Sequence, residues 1–201
     1  MTAIDEPTNA RSRRTRHALL TAARDLIEEH GYAAVTMTQV AEHAGVTRRA
    51  VYLHFASRTD LLTDLFDFVN DSEDLTASTR PVWDAPDAVT ALDEWARHLA
   101  RYHPRLIGLA RAADHARRSD PDAAAHWDLV RSDWLDHCRR LAAWLDRDGR
   151  LAPPWTIATA TDMLWVLMSF DVLEGLLIDR RWTPDQVTTH LATVFHATFT
   201  R

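Results

Sequence analysis

Two glycines, Gly31 and Gly45, cut the first third of this chain into apolar periods that only short helices can use. Leu19, Ala23, Leu26, Ile27 and His30 repeat along one helical face, and Gly31 then stands where a helix ends in left-handed backbone. Thr36-Met-Thr-Gln39 fits a capping box, a hydroxyl for one amide and a Gln reaching back. It opens a short stretch with Met37, Val40, Ala41 and Ala44 on one side, which Gly45 terminates. Thr47 then caps a third short helix running to about Leu53. Ser57 opens a fourth, followed by Leu61, Leu62, Leu65, Phe66 and Val69. Two short helices joined by a glycine turn make a helix-turn-helix over 36–55.

Beyond residue 80 the helical periods lengthen. Pro86 precedes Val89, Leu92, Trp95, Leu99 and Tyr102, and Pro104 opens Leu106–Arg118. Asp120-Pro121 begins a helix to about Asp148. The segment 156–178 is apolar on nearly every side, and Val187, Leu191, Val194 and Phe195 mark a last amphipathic helix. No stretch alternates long enough to read as a strand, so the expected fold is all-α with about nine helices. The domains expected are a helix-turn-helix domain over 1–56 and a larger helical domain over 57–201.

What the chain excludes narrows the function. Its lone cysteine, Cys138, forms no internal disulfide. The polar start MTAIDEPTNA has no apolar leader segment, and the apolar run 163–170 is too short to span a bilayer, so a cytoplasmic protein is expected. No Gly-rich phosphate loop, nucleophile elbow or clustered acid pair points to an enzyme. Histidines 98, 103, 115, 126 and 137 are scattered without metal-ligand spacing, so neither metal nor cofactor is expected.

Net charge is −6, but its placement matters more than its sum. Residues 1–59 carry eight Arg against six acids, while 60–201 carry fifteen Arg against twenty-three acids; there is no Lys. A helix that enters the major groove must expose polar side chains near its N-terminus. Thr47, Arg48 and Arg49 stand there, and Arg can hold guanine O6 and N7 with two hydrogen bonds. Thr36, Thr38, Tyr52 and His54 are donors suited to phosphate oxygens, and Arg11, Arg13, Arg14 and Arg16 form a basic arm before the first helix. On spacing alone the alternative stands: such patterns also occur in helical proteins that never touch DNA.

The run LTAARDLIEEHGYAAVTMTQVAEHAGVTRRAVYLHFASRTDLL, residues 20–62, resembles the N-terminal domain of TetR-type transcriptional regulators. The resemblance rests on the AA…L…G-Y…T run, the T…Q-V-A…A-G-V turn and Y-x-H-F before a Ser-led helix. It implies that Thr47–Leu53 is the recognition helix, that Tyr52 and His54 meet phosphates, and that Arg58 stands where the family most often has Lys. Arg48-Arg49 departs from the usual single basic residue; Arg48 is the favoured base contact and Arg49 is left open. The family's layout further implies a homodimer through helices 156–178 and 183–200 and a ligand pocket among the middle helices. The expected function is a homodimeric repressor released from a double-stranded DNA operator by a small molecule. The alternatives are an activator of the same family and a helical ligand-binding protein that does not bind DNA.

All eight Trp lie after residue 80, and an aromatic stripe at helical spacing is more often core than ligand cage. Trp95, Tyr102, Trp127, Trp134 and Trp165 are nevertheless the pocket residues expected, for a small apolar or aromatic ligand.

Overall fold

The structure, a computed structural model, describes residues 10–31, 35–72 and 74–201. Tyr32, part of the motif run, and the polar start 1–9 lie outside the described residues. The helices are α1 Ala10–His30, α2 Met37–His43, α3 Arg48–His54, α4 Arg58–Ser72, α5 Leu75–Trp83 and α6 Ala88–Tyr102. They continue as α7 Ile107–Ala116, α8 Pro121–Arg147, α9 Ile157–Leu167, α10 Phe170–Glu174 and α11 Pro184–Phe199. Among the described residues the only extended pairing is a single bridge between Leu151 and Thr200, so the all-α expectation holds.

Eleven α-helices stand where nine were expected, for two local reasons. The first is α5, hidden by Pro81 and by a polar stretch with no apolar period. It starts because the Asp74 carboxylate accepts from the Ala77 amide at 2.9 Å. The second is a break in the apolar segment 156–178. Met168 ends α9, and Ser169, extended at φ −60° and ψ 151°, caps α10 through its hydroxyl and the Val172 amide. A serine that reads as a polar interruption is in fact a new helix start.

A third difference concerns the basic arm. Arg11, Arg13, Arg14 and Arg16 are not an arm before the first helix but lie inside α1, which begins at Ala10. The apolar period from Leu19 marks where burial begins, not where the helix begins, and arginine is a good helix former with no breaker nearby.

The chain forms two compact units. The first runs to Ser72 and takes up Gly108–Asp128; the second comprises Glu73–Ile107 and Leu129–Arg201. In the first, Leu19, Ala23, Val40, Val51, Phe55 and Leu65 are fully or almost fully buried, and Trp127 packs on Phe66 with ring centroids 6.1 Å apart. The Thr59 hydroxyl donates to Asp120, whose other oxygen accepts from the Ala123 amide at 3.2 Å, capping α8. The second unit centres on Leu92, Trp95, Leu99, Cys138, Leu141, Leu164, Phe195 and Phe199. No helix among the described residues is long and apolar enough to cross a membrane.

Candidate nucleic-acid interface

Each sequence signal of the helix-turn-helix has a hydrogen bond behind it. The Thr36 hydroxyl accepts from the Gln39 amide at 3.2 Å, and the Thr36 amide donates to Gln39 Oε1 at 2.9 Å. The turn closes at Gly45, whose φ of +68° is left-handed backbone that disfavours any side chain. Its neighbour Val46 donates its amide to the Ala41 carbonyl at 2.9 Å. Thr47 accepts from the Ala50 amide at 3.2 Å and so starts α3.

Val51 anchors α3 to the core, while Arg48, Arg49 and Leu53 are exposed and Tyr52 is half-buried. Positions 48, 49, 52 and 53 fall on one side of a helix, so they form one outward face. The Arg48 guanidinium lies 5.6 Å from the Tyr52 ring, one turn on, an attraction that preorders its long side chain. Leu53 was read from sequence as a packing residue; it is 40% exposed instead. Its signal was its position one turn after Arg49, on the side away from Val51.

The remaining donors differ in freedom. The Thr36 hydroxyl is engaged with Gln39 Oε1 at 2.8 Å, so donating to a phosphate means giving that bond up. Thr47 uses its oxygen as an acceptor, which leaves its O–H to donate outward. Thr38 is exposed on α2. Arg58 is half-buried and donates from Nη1 to the Val35 carbonyl at 3.1 Å, tying the start of α2 to α4; its guanidinium retains further donors. The imidazole of His54 is held below its ordinary pKa, first by burial and then by the nearby Arg16. At neutral pH it therefore meets a phosphate as a neutral N–H donor rather than as a cation.

Sequence reasoning missed what Arg16 does. Its Nη1 donates to the His54 carbonyl at 3.4 Å, its Nη2 pairs with the Asp64 carboxylate, and its guanidinium lies 4.9 Å from the Phe55 ring. One side chain of α1 thus holds the end of α3 against α4. Burial lifts the Asp64 carboxyl above its ordinary pKa, with the Arg16 charge opposing. Arg16→Ala leaves a half-buried carboxylate and a helix-terminal carbonyl without this donor, so a loss of about 1–3 kcal/mol in urea unfolding is expected. Equal unfolding midpoints for variant and parent would show that Arg16 is not a bracket.

Comparison with known proteins assigns this geometry. Residues 19–65 match the family model described as bacterial regulatory proteins, tetR family. These residues are a tetR-family domain. The tetR-family domain is 40% identical over 58 residues to the HTH-type transcriptional repressor BepR of Brucella suis, a match covering 29% of this chain and 28% of BepR. It is 34% identical over 67 residues to the HTH-type transcriptional regulator TtgR of Pseudomonas putida, covering 33% and 32% of the two chains. The chain thus matches less than a third of the curated relatives' length on sequence.

Likeness of fold extends further than that. NalD of Pseudomonas aeruginosa, the secondary repressor of the MexAB-OprM multidrug efflux pump, superposes with a TM-score of 0.72 at 23% identity over 95% of this chain and 98% of NalD. FadR of Bacillus subtilis, solved with stearoyl-CoA, gives a TM-score of 0.70 at 16% identity over 88% and 95%. The tetR-family domain is therefore followed by helices in the arrangement of these regulators.

The expected pocket residues do not form one group. Trp95 and Tyr102 are fully buried in the second unit, linked through His98, which lies 5.1 Å from Trp95 and is stacked on Tyr102 at 5.2 Å. Trp134 joins them through His103 and Phe170, at 6.3 and 4.8 Å. Trp127 belongs to the first unit against Phe66. Trp165 is half-buried with the Arg131 guanidinium 4.7 Å from its ring.

Proposed function

We propose that this protein is a homodimeric transcriptional repressor that binds a double-stranded DNA operator and leaves it when a small molecule binds. The observation that supports this most is α3. It is a capped short helix with Arg48 and Arg49 exposed at its N-terminus, inside a segment that matches the tetR family. Arg48 reads a guanine edge, Leu53 meets a thymine methyl, and Thr36, Thr38, Thr47, Arg49, Tyr52, His54 and Arg58 contact phosphates.

Helices 156–178 and 183–200 supply the dimer interface. Ile157, Met163, Val166, Ile178 and Val194 are all exposed there, Ile178 by 53% and Val166 by 48%. Apolar side chains gathered on two neighbouring segments fit a second copy of the same surface. Two such heads read half-sites about 34–36 Å apart. Functionally, 1–56 reads DNA and 57–201 dimerises and binds ligand, although α4 is built into the first compact unit. The protein performs no catalysis of its own and acts in the cytoplasm.

Footprinting on DNA flanking its own gene, repeated across a salt series, tests the reading. A protected near-palindrome is expected, with affinity falling steeply as salt rises because neutralised phosphates release counterions. Binding that ignores both sequence and salt would overturn it.

A further inference from the structure

Polar atoms in the second unit are buried without a partner: the indole Nε1 of Trp95 and both ring nitrogens of His103. Trp95 is 1% and His103 3% exposed, so bulk water does not reach them. Native interiors rarely leave such groups unmade, and each deserves a partner. The atoms sit in an aromatic nest. The His103 ring lies 5.1 Å from Phe170 and 5.8 Å from His98, and Trp95 lies 5.1 Å from His98.

Tyr102 belongs both to this nest and to a cleft. Its ring stacks on His98 with an interplanar angle of 21° and stands 6.4 Å from His103. It also lines a cleft of about 240 Å³ together with Ser78, Arg101, Arg105 and Asp74. Ser78 connects the two environments. Its hydroxyl is 2.9 Å from His98 Nδ1, and Arg101 Nη2 donates to that hydroxyl and to the Ser78 carbonyl, each at 3.0 Å.

The donor inventory sets the ligand chemistry. An indole N–H only donates, whereas a neutral imidazole donates once and accepts once. One group that both accepts and donates, a hydroxyl, answers them. At the cleft, two guanidinium groups against the single carboxylate of Asp74 leave a positive excess that suits an anion. Between the two ends the walls are rings. The volume is below that of drug-sized pockets.

We propose that the second unit binds a planar aromatic carboxylic acid bearing a hydroxyl at its far end. The carboxylate meets Arg101 and Arg105, the ring lies on Tyr102, and the hydroxyl serves His103 and Trp95 Nε1. As the identity of the effector, this rests on the regulatory reading above; as a binding site, it does not need DNA.

Calorimetric titration of the full chain with 4-hydroxycinnamate, cinnamate and 4-hydroxycinnamyl alcohol tests it, without DNA present. The hydroxy acid is expected to bind once per chain, with the other two at least tenfold weaker. Arg101→Ala, and separately Arg105→Ala on the exposed rim, should weaken the acids about tenfold and leave the alcohol unchanged. His103→Phe should remove the preference for the hydroxylated acid. No binding of any probe at millimolar concentration overturns the proposal, as do unchanged affinities in folded Arg101→Ala and Arg105→Ala; the buried atoms then hold only water. A chain that binds operator but no acid sinks this inference alone, and one that binds the acid but no operator sinks the regulatory reading alone.

Discussion

Arg48→Ala is expected to relax operator specificity and to weaken operator binding about 30-fold or more, with the fold intact. A bidentate Arg–guanine pair is worth about 1–3 kcal/mol, and a dimer makes the contact twice, so about 2–6 kcal/mol is at stake. Both Arg48 and Arg49 are exposed, so truncation removes little packing. The two positions have different signatures. Arg48→Ala should cost affinity at one base pair of each half-site and little on random DNA. Arg49→Ala should weaken all sequences alike and lower the salt slope by about one per phosphate contact. The double variant should lose specific binding altogether. Gel-shift titrations at several salt concentrations measure all of this, with thermal unfolding to confirm the fold. Unchanged operator affinity in the double variant would remove α3 from the reading role.

Acid should destabilise the second unit strongly. Burial, reinforced by His103, Arg101 and His137, pulls His98 down to about 2, and burial alone pulls His103 down to about 3, from an ordinary 6.5. The unfolded chain then takes up protons that the folded chain refuses. Stability is fully present above pH 6.5 and is lost as the pH falls toward 3. Each such histidine contributes a slope of about 1.4 kcal/mol per pH unit, roughly 3 for the pair. Over pH 6 to 4 that corresponds to a fall of ~6–12 °C in Tm per unit for a chain of this size. His137 is lowered by burial too and acts in the same direction. His103→Phe should roughly halve the slope. A Tm that stays level from pH 7 to pH 4 would contradict the neutral, buried state of both rings.

How far the sequence could be read depended on whether a residue acts locally. Thr36, Gly45, Thr47 and Ser57 could be placed because a cap or a left-handed turn is decided within four residues. Ser169 obeys the same rule but sat inside an apolar run whose period continued across it. Arg16 could not be read, since its partners His54 and Asp64 are far off in sequence. Leu53 was misread because aliphatic character was taken for burial, whereas Val51 already supplies the anchor of α3. The aromatic residues were visible as a class, but which of them meet is a matter of tertiary packing. Trp95 and Trp134 share one nest through histidines that looked scattered along the chain.

Cys138 has a use that follows from its surroundings. Its Sγ is buried and donates to Met168 Sδ at 3.1 Å, and burial pushes the thiol up to about 12. At pH 7 only about one molecule in 10⁵ is a thiolate, so the native chain is almost blind to maleimides. With no lysine in the sequence, amine reagents find no side chain either. Any cysteine introduced on the surface, such as Ala56→Cys beside α3, would be the one reactive handle. A spin label or fluorophore there reports the separation of two heads in a dimer without first removing a native thiol.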